Sequence, residues 1–390
     1  MTEFFPYEDL SWPEVDALPR HTPLVIPLGS GYPLDRLAEA LGCPPRAGLL
    51  PAIPFGWPGS GLLVPDPLLS ACLCNLVDSL RQDGFSQVIA VIPQGVALHG
   101  SGGLPCTQLA FPRERDELAD GSASQALPAE TERGKVVVIP IGHTEQHGLH
   151  LPMSTDTLII DAIAQGIVDA APGRATRLPV MPYGVSTHRQ AFAGTLNAGG
   201  RAFEDFWLGV IDVLAARGFD RLYLISGHGG NCSFLVNVVK YAGERHRRIF
   251  CATAWLYLSG PAGVAALEQH RASASGGMGH ACELETSLIL HLRPDLVHLE
   301  RAVDEMDFVA TPSYYMDWVE GGALVANPPW DDDTKTGAYG AGSLGTAPKG
   351  QAWLRAAVAE KVEHIEEIHV QYERRAARRR SGYGLWGSRG

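Results

Sequence analysis

The chain has 390 residues, 45% of them hydrophobic and 19% charged, with a formal net charge of -12, which leaves room for two or three globular domains and excludes disorder as the default. The acidic balance argues against a general nucleic-acid or anionic-membrane surface, and no apolar run nears the ~18 residues of a membrane span. Seven cysteines scattered mostly through apolar segments read as buried free thiols, and the start MTEFFPYEDLSWPEVD lacks the basic and long apolar regions of a signal peptide, so a reducing cytoplasm is expected.

An aromatic-rich lead-in covers residues 1–20, and a first strand is expected at 23–28, closed by Gly29. Three segments of this first part recur later in the same order. PLVIPLG at 23–29 echoes VVVIPIG at 136–142, LPAIPFG at 50–56 echoes LPVMPYG at 178–184, and DGFSQVIAVIPQG at 83–95 echoes RGFDRLYLISGHG at 217–229, with offsets of 113, 128 and 134 residues. An internal duplication accounts for this; the alternative is that strand-loop-helix units of any α/β protein look alike. Tyr32 and Leu34 fall where the second copy has Glu145 and His147, and Gln94 falls where it has His228. Such groups cannot hold a metal, so residues 1–105 read as a shortened, non-catalytic half. Gly, Ser, Pro and charges without periodicity place a linker at 106–134, and 135–390 is expected to be the catalytic domain.

Val136, Val137, Val138 and Ile139, followed by Pro140 and Gly142, have the pattern of a buried parallel strand that delivers its end into a loop, where α/β enzymes keep their chemistry. Glu145 and His147 follow, two apart and hence on one side of an extended segment, and Asp156 comes soon after. Helices are expected at 157–170 and 201–217, where Phe203, Phe206, Trp207, Val210, Ile211 and Leu214 form a core stripe. A strand at 222–225 ends in SGHGGN, whose glycines allow close approach around His228. In GHACELETS at 279–287 the first turn of a helix carries Glu283 and Glu285, which face different directions and leave one for a metal and the other for support or capping. Pro294 stops that helix, 314–339 with Trp318 and Trp330 can wall a pocket, 349–375 has helical periodicity, and the Arg run 374–380 reads as a solvated helix end.

Together, GHTEQHGLHLPMSTD, ISGHGGN and GHACELETS resemble the creatininase (creatinine amidohydrolase) family over about residues 135–300, with a looser match in GAYGAGSLGTAPKG at 337–350. The resemblance implies a three-layer α/β/α fold with a mostly parallel sheet, here preceded by the shortened copy. It implies two divalent ions, zinc first with manganese or iron as alternatives, and homo-oligomers, often hexamers. It also implies hydrolysis of a non-peptide or cyclic amide by water that the ions activate. By position, Glu145, His147, Asp156 and His228 carry over as ligands, with Asp156 as the bridge. Creatininase proper has a Glu where Gly230 stands, so the fifth ligand is assigned to Glu283, as in the family's HGGN-type members. His280 and Glu285 are then the candidates for proton transfer to the leaving nitrogen. Many relatives place a His three residues before Phe192, where this chain has Arg189 preceded by His188. The substrate is therefore open among creatinine, formamides and short peptides. A metal-dependent amidohydrolase acting on a small-molecule amide is the expected function; the competing expectation is a non-catalytic metal-binding assembly protein. No nucleic-acid or membrane partner is expected.

Overall fold

In the computed structural model, the described residues are 1–100, 103–113, 127–187, 191–318 and 324–382. His188 and Arg189 lie outside them, so the departure noted there has no structural counterpart.

The first part of the chain builds one parallel sheet. Its elements are β1 (Glu3–Pro6), α1 (Trp12–Asp16), β2 (Leu24–Pro27), α2 (Leu34–Ala40), β3 (Arg46–Leu49), α3 (Asp66–Gln82), β4 (Val88–Pro93) and β5 (Thr107–Phe111), with strand order β1-β3-β2-β4-β5. Strand β5 lies inside the stretch expected to be linker, so the first unit runs past residue 105. A five-residue edge strand with its side chains half out of the core has no apolar period to mark it, and the Gly- and Pro-rich neighbourhood hides it.

A second parallel sheet follows. It comprises β6 (Val136–Ile141), α4 (Thr155–Ala170), β7 (Ala175–Arg177), α5 (Gly200–Ala216), β8 (Arg221–Ser226), α6 (Gly229–Arg245) and β9 (Phe250–Thr253), in the order β7-β6-β8-β9. The chain closes with α7 (Pro261–His270), β10 (Met278–His280), α8 (Glu283–Leu292), β11 (Tyr339–Gly340) and α9 (Ala347–Arg380), the two short strands pairing antiparallel. Parallel sheets need both faces covered, and here they are. Along β2 and β6 the side chains alternate: Leu24, Ile26, Val137 and Ile139 enter one core shared with α3 and α5, whereas Val25 and Val138 face outward into separate clusters. The outer face of the second sheet carries α4, α8 and the 34-residue α9, whose Trp353, Ala357, Ile365 and Ile368 are buried. Long as it is, α9 is not apolar enough to cross a membrane, and neither is any other helix among the described residues. All seven cysteines are free, with Cys72, Cys232 and Cys282 buried.

The pairing in the two sheets coincides at the positions that the sequence echoes align. Leu24 pairs with Val88 as Val137 pairs with Leu222, and Leu28 bridges Ile53 as Ile141 bridges Met181. Because α5 is buried in the core that both sheets share, truncating its fully buried Trp207 to Ala should cost about 3–5 kcal/mol. Urea unfolding followed by circular dichroism measures the loss.

Candidate metal centre

Three segments converge beyond the carboxyl ends of β6 and β8. The loop after β6 carries Glu145 and His147, the first turn of α4 carries Asp156, and His228 caps α6 directly after β8. Glycines let these turns touch. A Cβ on Gly227 would lie 2.3 Å from the Asp156 carbonyl oxygen, and one on Gly142 would lie 2.3 Å from Thr157 Oγ1. Asn231 ties the turns together, donating to the Gly142 carbonyl at 3.2 Å and accepting the Val185 N–H at 2.8 Å.

The two histidines present defined ring nitrogens. His228 donates from Nε2 to the Val185 carbonyl at 2.9 Å, which leaves the Nδ1 lone pair facing Glu145 Oε2 at 2.9 Å and Asp156 Oδ2 at 3.2 Å. His147 donates from Nδ1 to the Glu145 carbonyl at 3.1 Å, so its Nε2 faces Asp156 Oδ1 at 3.2 Å and Glu285 Oε1 at 3.8 Å. A hydrogen bond at one ring nitrogen that turns the other toward a site is how proteins orient metal-binding imidazoles. Asp156 stands between them with one oxygen toward each. Ser186 Oγ donates to Glu145 Oε1 at 3.1 Å and fixes that carboxylate.

All these groups are buried. Burial opposes charge on either imidazole, yet Asp156 with Glu285 and Glu145 outweighs it at His147, and Glu145 with Asp156 outweighs it at His228, so both are raised to about 9. Burial likewise opposes the Asp156 carboxylate, and His147 and His228 hold it below its ordinary value all the same. Nε2 of His147 and Oδ2 of Asp156 are buried without a hydrogen bond. Buried polar atoms that converge in this way without satisfying one another suit a cation between them, which would take the place of the imidazole protons. The donor set of carboxylate oxygens and imidazole nitrogens fits a divalent ion. Among the described residues, ligand-capable atoms lie within 4.8 Å of one another in three groups: His143, Glu145 and His228; Glu145, His147 and His280; and His147, Asp156 and Glu285.

The carboxylate expected as fifth ligand is engaged elsewhere. Glu283 accepts Lys349 Nζ at 2.6 Å and the backbone N–H groups of Ala272 and Ser273 at 2.9 and 2.7 Å. It pins the loop before β10, whereas Glu285, expected to move protons, faces the His147 and Asp156 pair. His280 does sit beside the cluster, its ring 4.1 Å from that of His147 and its Nε2 donating to the Gln146 carbonyl at 2.7 Å. Trp330 closes over it edge-on at 4.9 Å and packs with Phe192 and Tyr339. His143 was not among the expected residues, yet its ring lies 4.4 Å from that of His228 and its Nδ1 accepts the Gly184 N–H at 3.0 Å. The same spacing of two that pairs Glu145 with His147 reaches back to His143. Two thiols also stand close. Cys232 in the first turn of α6 is pushed up to about 12 by burial, and the Cys282 thiol is raised well above its ordinary value for the same reason.

The creatinine amidohydrolase family model, Creatininase, matches residues 121–365, and the chain belongs to the creatininase family of amidohydrolases. It is similar to the mycofactocin precursor peptide peptidase of Mycobacterium ulcerans, 34% identical over 192 residues that make up 47% of this chain and 68% of that protein. It is also similar to the creatinine amidohydrolase of Pseudomonas putida, 30% identical over 43% of this chain and 68% of that enzyme. Among solved structures, a mutant creatininase complexed with creatine superposes with a TM-score of 0.51 at 25% identity, covering 62% of this chain and 94% of that one. A manganese creatininase gives 0.51 at 25% identity, covering 61% and 92%.

The two glutamates of α8 can be told apart by experiment. Glu285→Gln should lower the zinc or manganese retained on purification, as counted by plasma mass spectrometry. Glu283→Gln should keep the metal and instead lower the melting temperature, since it removes the charge opposite a partly buried Lys349.

Proposed function

We propose that this chain is a two-metal amidohydrolase in which Glu145, Asp156 and His228 would hold one divalent ion and His147, Asp156 and Glu285 would hold the other. The observation that carries the reading is Asp156, whose two oxygens face different histidines at 3.2 Å each. Glu285 replaces Glu283 as the fifth ligand. Gly230 has no room for the creatininase-type carboxylate, because a Cβ there would lie 2.4 Å from both His228 Nε2 and the Val185 carbonyl. Zinc and manganese suit the donor set, and such ions supply Lewis acidity that lowers the pKa of water and polarises a carbonyl.

The remaining work falls to the chain's own residues. Ser186 holds Glu145, and the Gln146 carbonyl holds His280 through its Nε2–H. His280 then takes a proton from attacking water and returns it to the leaving nitrogen, a role worth roughly 10²- to 10⁴-fold. Trp330 and Tyr339 screen that transfer from solvent.

The substrate is a small molecule with a hydrolysable C–N amide bond. A short peptide is favoured over creatinine, because Gly230 departs from creatininase proper and a precursor peptide peptidase shares 34% identity with the chain. Metal analysis combined with a hydrolysis screen over creatinine, formamides and short peptides tests this. A chelator should abolish hydrolysis, and zinc or manganese should restore it. Asp156→Ala should lose more metal than His280→Ala, which should retain metal and lose turnover. Metal-loaded protein that is inert across the panel would point instead to the non-catalytic assembly role.

A further inference from the structure

The two halves meet through one pair of helices at matching positions in the sequence echoes. Helices α3 and α5 lie 134 residues apart at both ends and pack on each other. Asn75 in α3 donates to the Ala198 carbonyl at 2.8 Å and abuts Gly199, where a Cβ would come 2.3 Å from its Nδ2. Across the same seam Gly209 in α5 lies against Leu68 and Val64 of the first half, its Cβ position 2.8 and 3.6 Å from those side chains. The first half's own crevice is filled. The Trp57 ring covers Gly29, reaching within 2.7 Å of a Cβ placed there, and Arg113 lies over that ring at 5.3 Å.

From this position the first half reaches three segments of the metal centre. The carbonyls of Glu8 and Leu10 accept the N–H groups of Ser154 and Met153 at 2.9 and 2.8 Å, directly before Asp156, and the Met153 carbonyl in turn accepts the Glu145 N–H at 3.0 Å. Asp83 Oδ2 accepts the Gly194 N–H at 2.8 Å, Tyr7 donates to the Gly194 carbonyl at 3.3 Å, and Ser79 Oγ accepts the Asn197 N–H at 3.1 Å. That loop holds the ligand segment, for Thr195 Oγ1 accepts the Gln146 N–H and the Leu196 N–H donates to the Thr144 carbonyl. Trp12 donates to the Thr336 carbonyl at 2.9 Å, one residue before Gly337, whose carbonyl accepts Gln146 Nε2.

We propose that the first half is a tethered pseudo-subunit that positions the ligand loops of the second, with Asp83 as its principal positioning residue. The proposal rests on the metal-centre reading above. Zn2+ titration of the full-length protein against a chromophoric chelator tests it. Asp83→Ala should weaken Zn2+ binding by about 10- to 100-fold, the size typical of lost outer support, while Asp83→Asn, which keeps an acceptor for Gly194, should restore most of it. If Asp83→Ala does not fold, Ser79→Ala carries the same expectation at smaller size. Leu37→Ala, on the outer face of the first sheet, should lower stability and leave Zn2+ affinity unchanged. Wild-type affinity in Asp83→Ala, or an equal loss in Leu37→Ala, overturns the proposal. Wild-type protein that takes up neither Zn2+ nor Mn2+ overturns the metal-centre reading along with it.

Discussion

The centre depends on a backbone contact. Strands β6 and β8 are hydrogen-bonded neighbours, which sets their ends about 4.8 Å apart, and the turns that leave them must share that space. They can do so only because Gly142 and Gly227 carry no side chain, which brings the peptide after Asp156 and the turn before His228 into contact. Once those backbones touch, Glu145, Asp156 and His228 have no separate places to go, and their side chains meet in one volume. Hydrogen bonds that His228 and His147 donate to the Val185 and Glu145 carbonyls then choose which ring nitrogens face inward.

Much of this was legible in the sequence, because strand ends, glycines and ligand types fall together in VVVIPIGHTEQHG and LISGHGGN. What was not legible depends on residues far along the chain. Glu283 and Glu285 sit in one helical turn, roughly 200° apart around the axis, and nothing local says which faces the cluster. Lys349, 66 residues later, decides it by claiming Glu283. His143 could have been found, since the alternation already used for Glu145 and His147 includes it. Strand β5 could not, because an edge strand with few buried side chains carries no pattern.

The shared core explains why the first part of the chain is not an appendage. Equivalent faces of the two sheets cover each other through α3 and α5, so each half supplies the layer that the other lacks. Among the described residues, the outer face of the first sheet, by contrast, has a small cluster around Val25, Leu37, Ile89 and Val91. Stability is therefore concentrated where the halves meet, which is also where loops 192–197 and 153–156 are anchored.

The thiols beside the centre bear on ion choice. Cys232 and Cys282 are buried beside the ligand segments, and among the described residues neither joins the ligand-capable groups of the centre. Without sulfur the site lacks the soft donor that would discriminate in favour of zinc or copper(I), and its carboxylate and imidazole atoms also suit manganese. The occupant would then be set by which divalent ion the surroundings supply. Oxidants, meeting two thiols shut off from solvent, would have little means of disabling the centre through them.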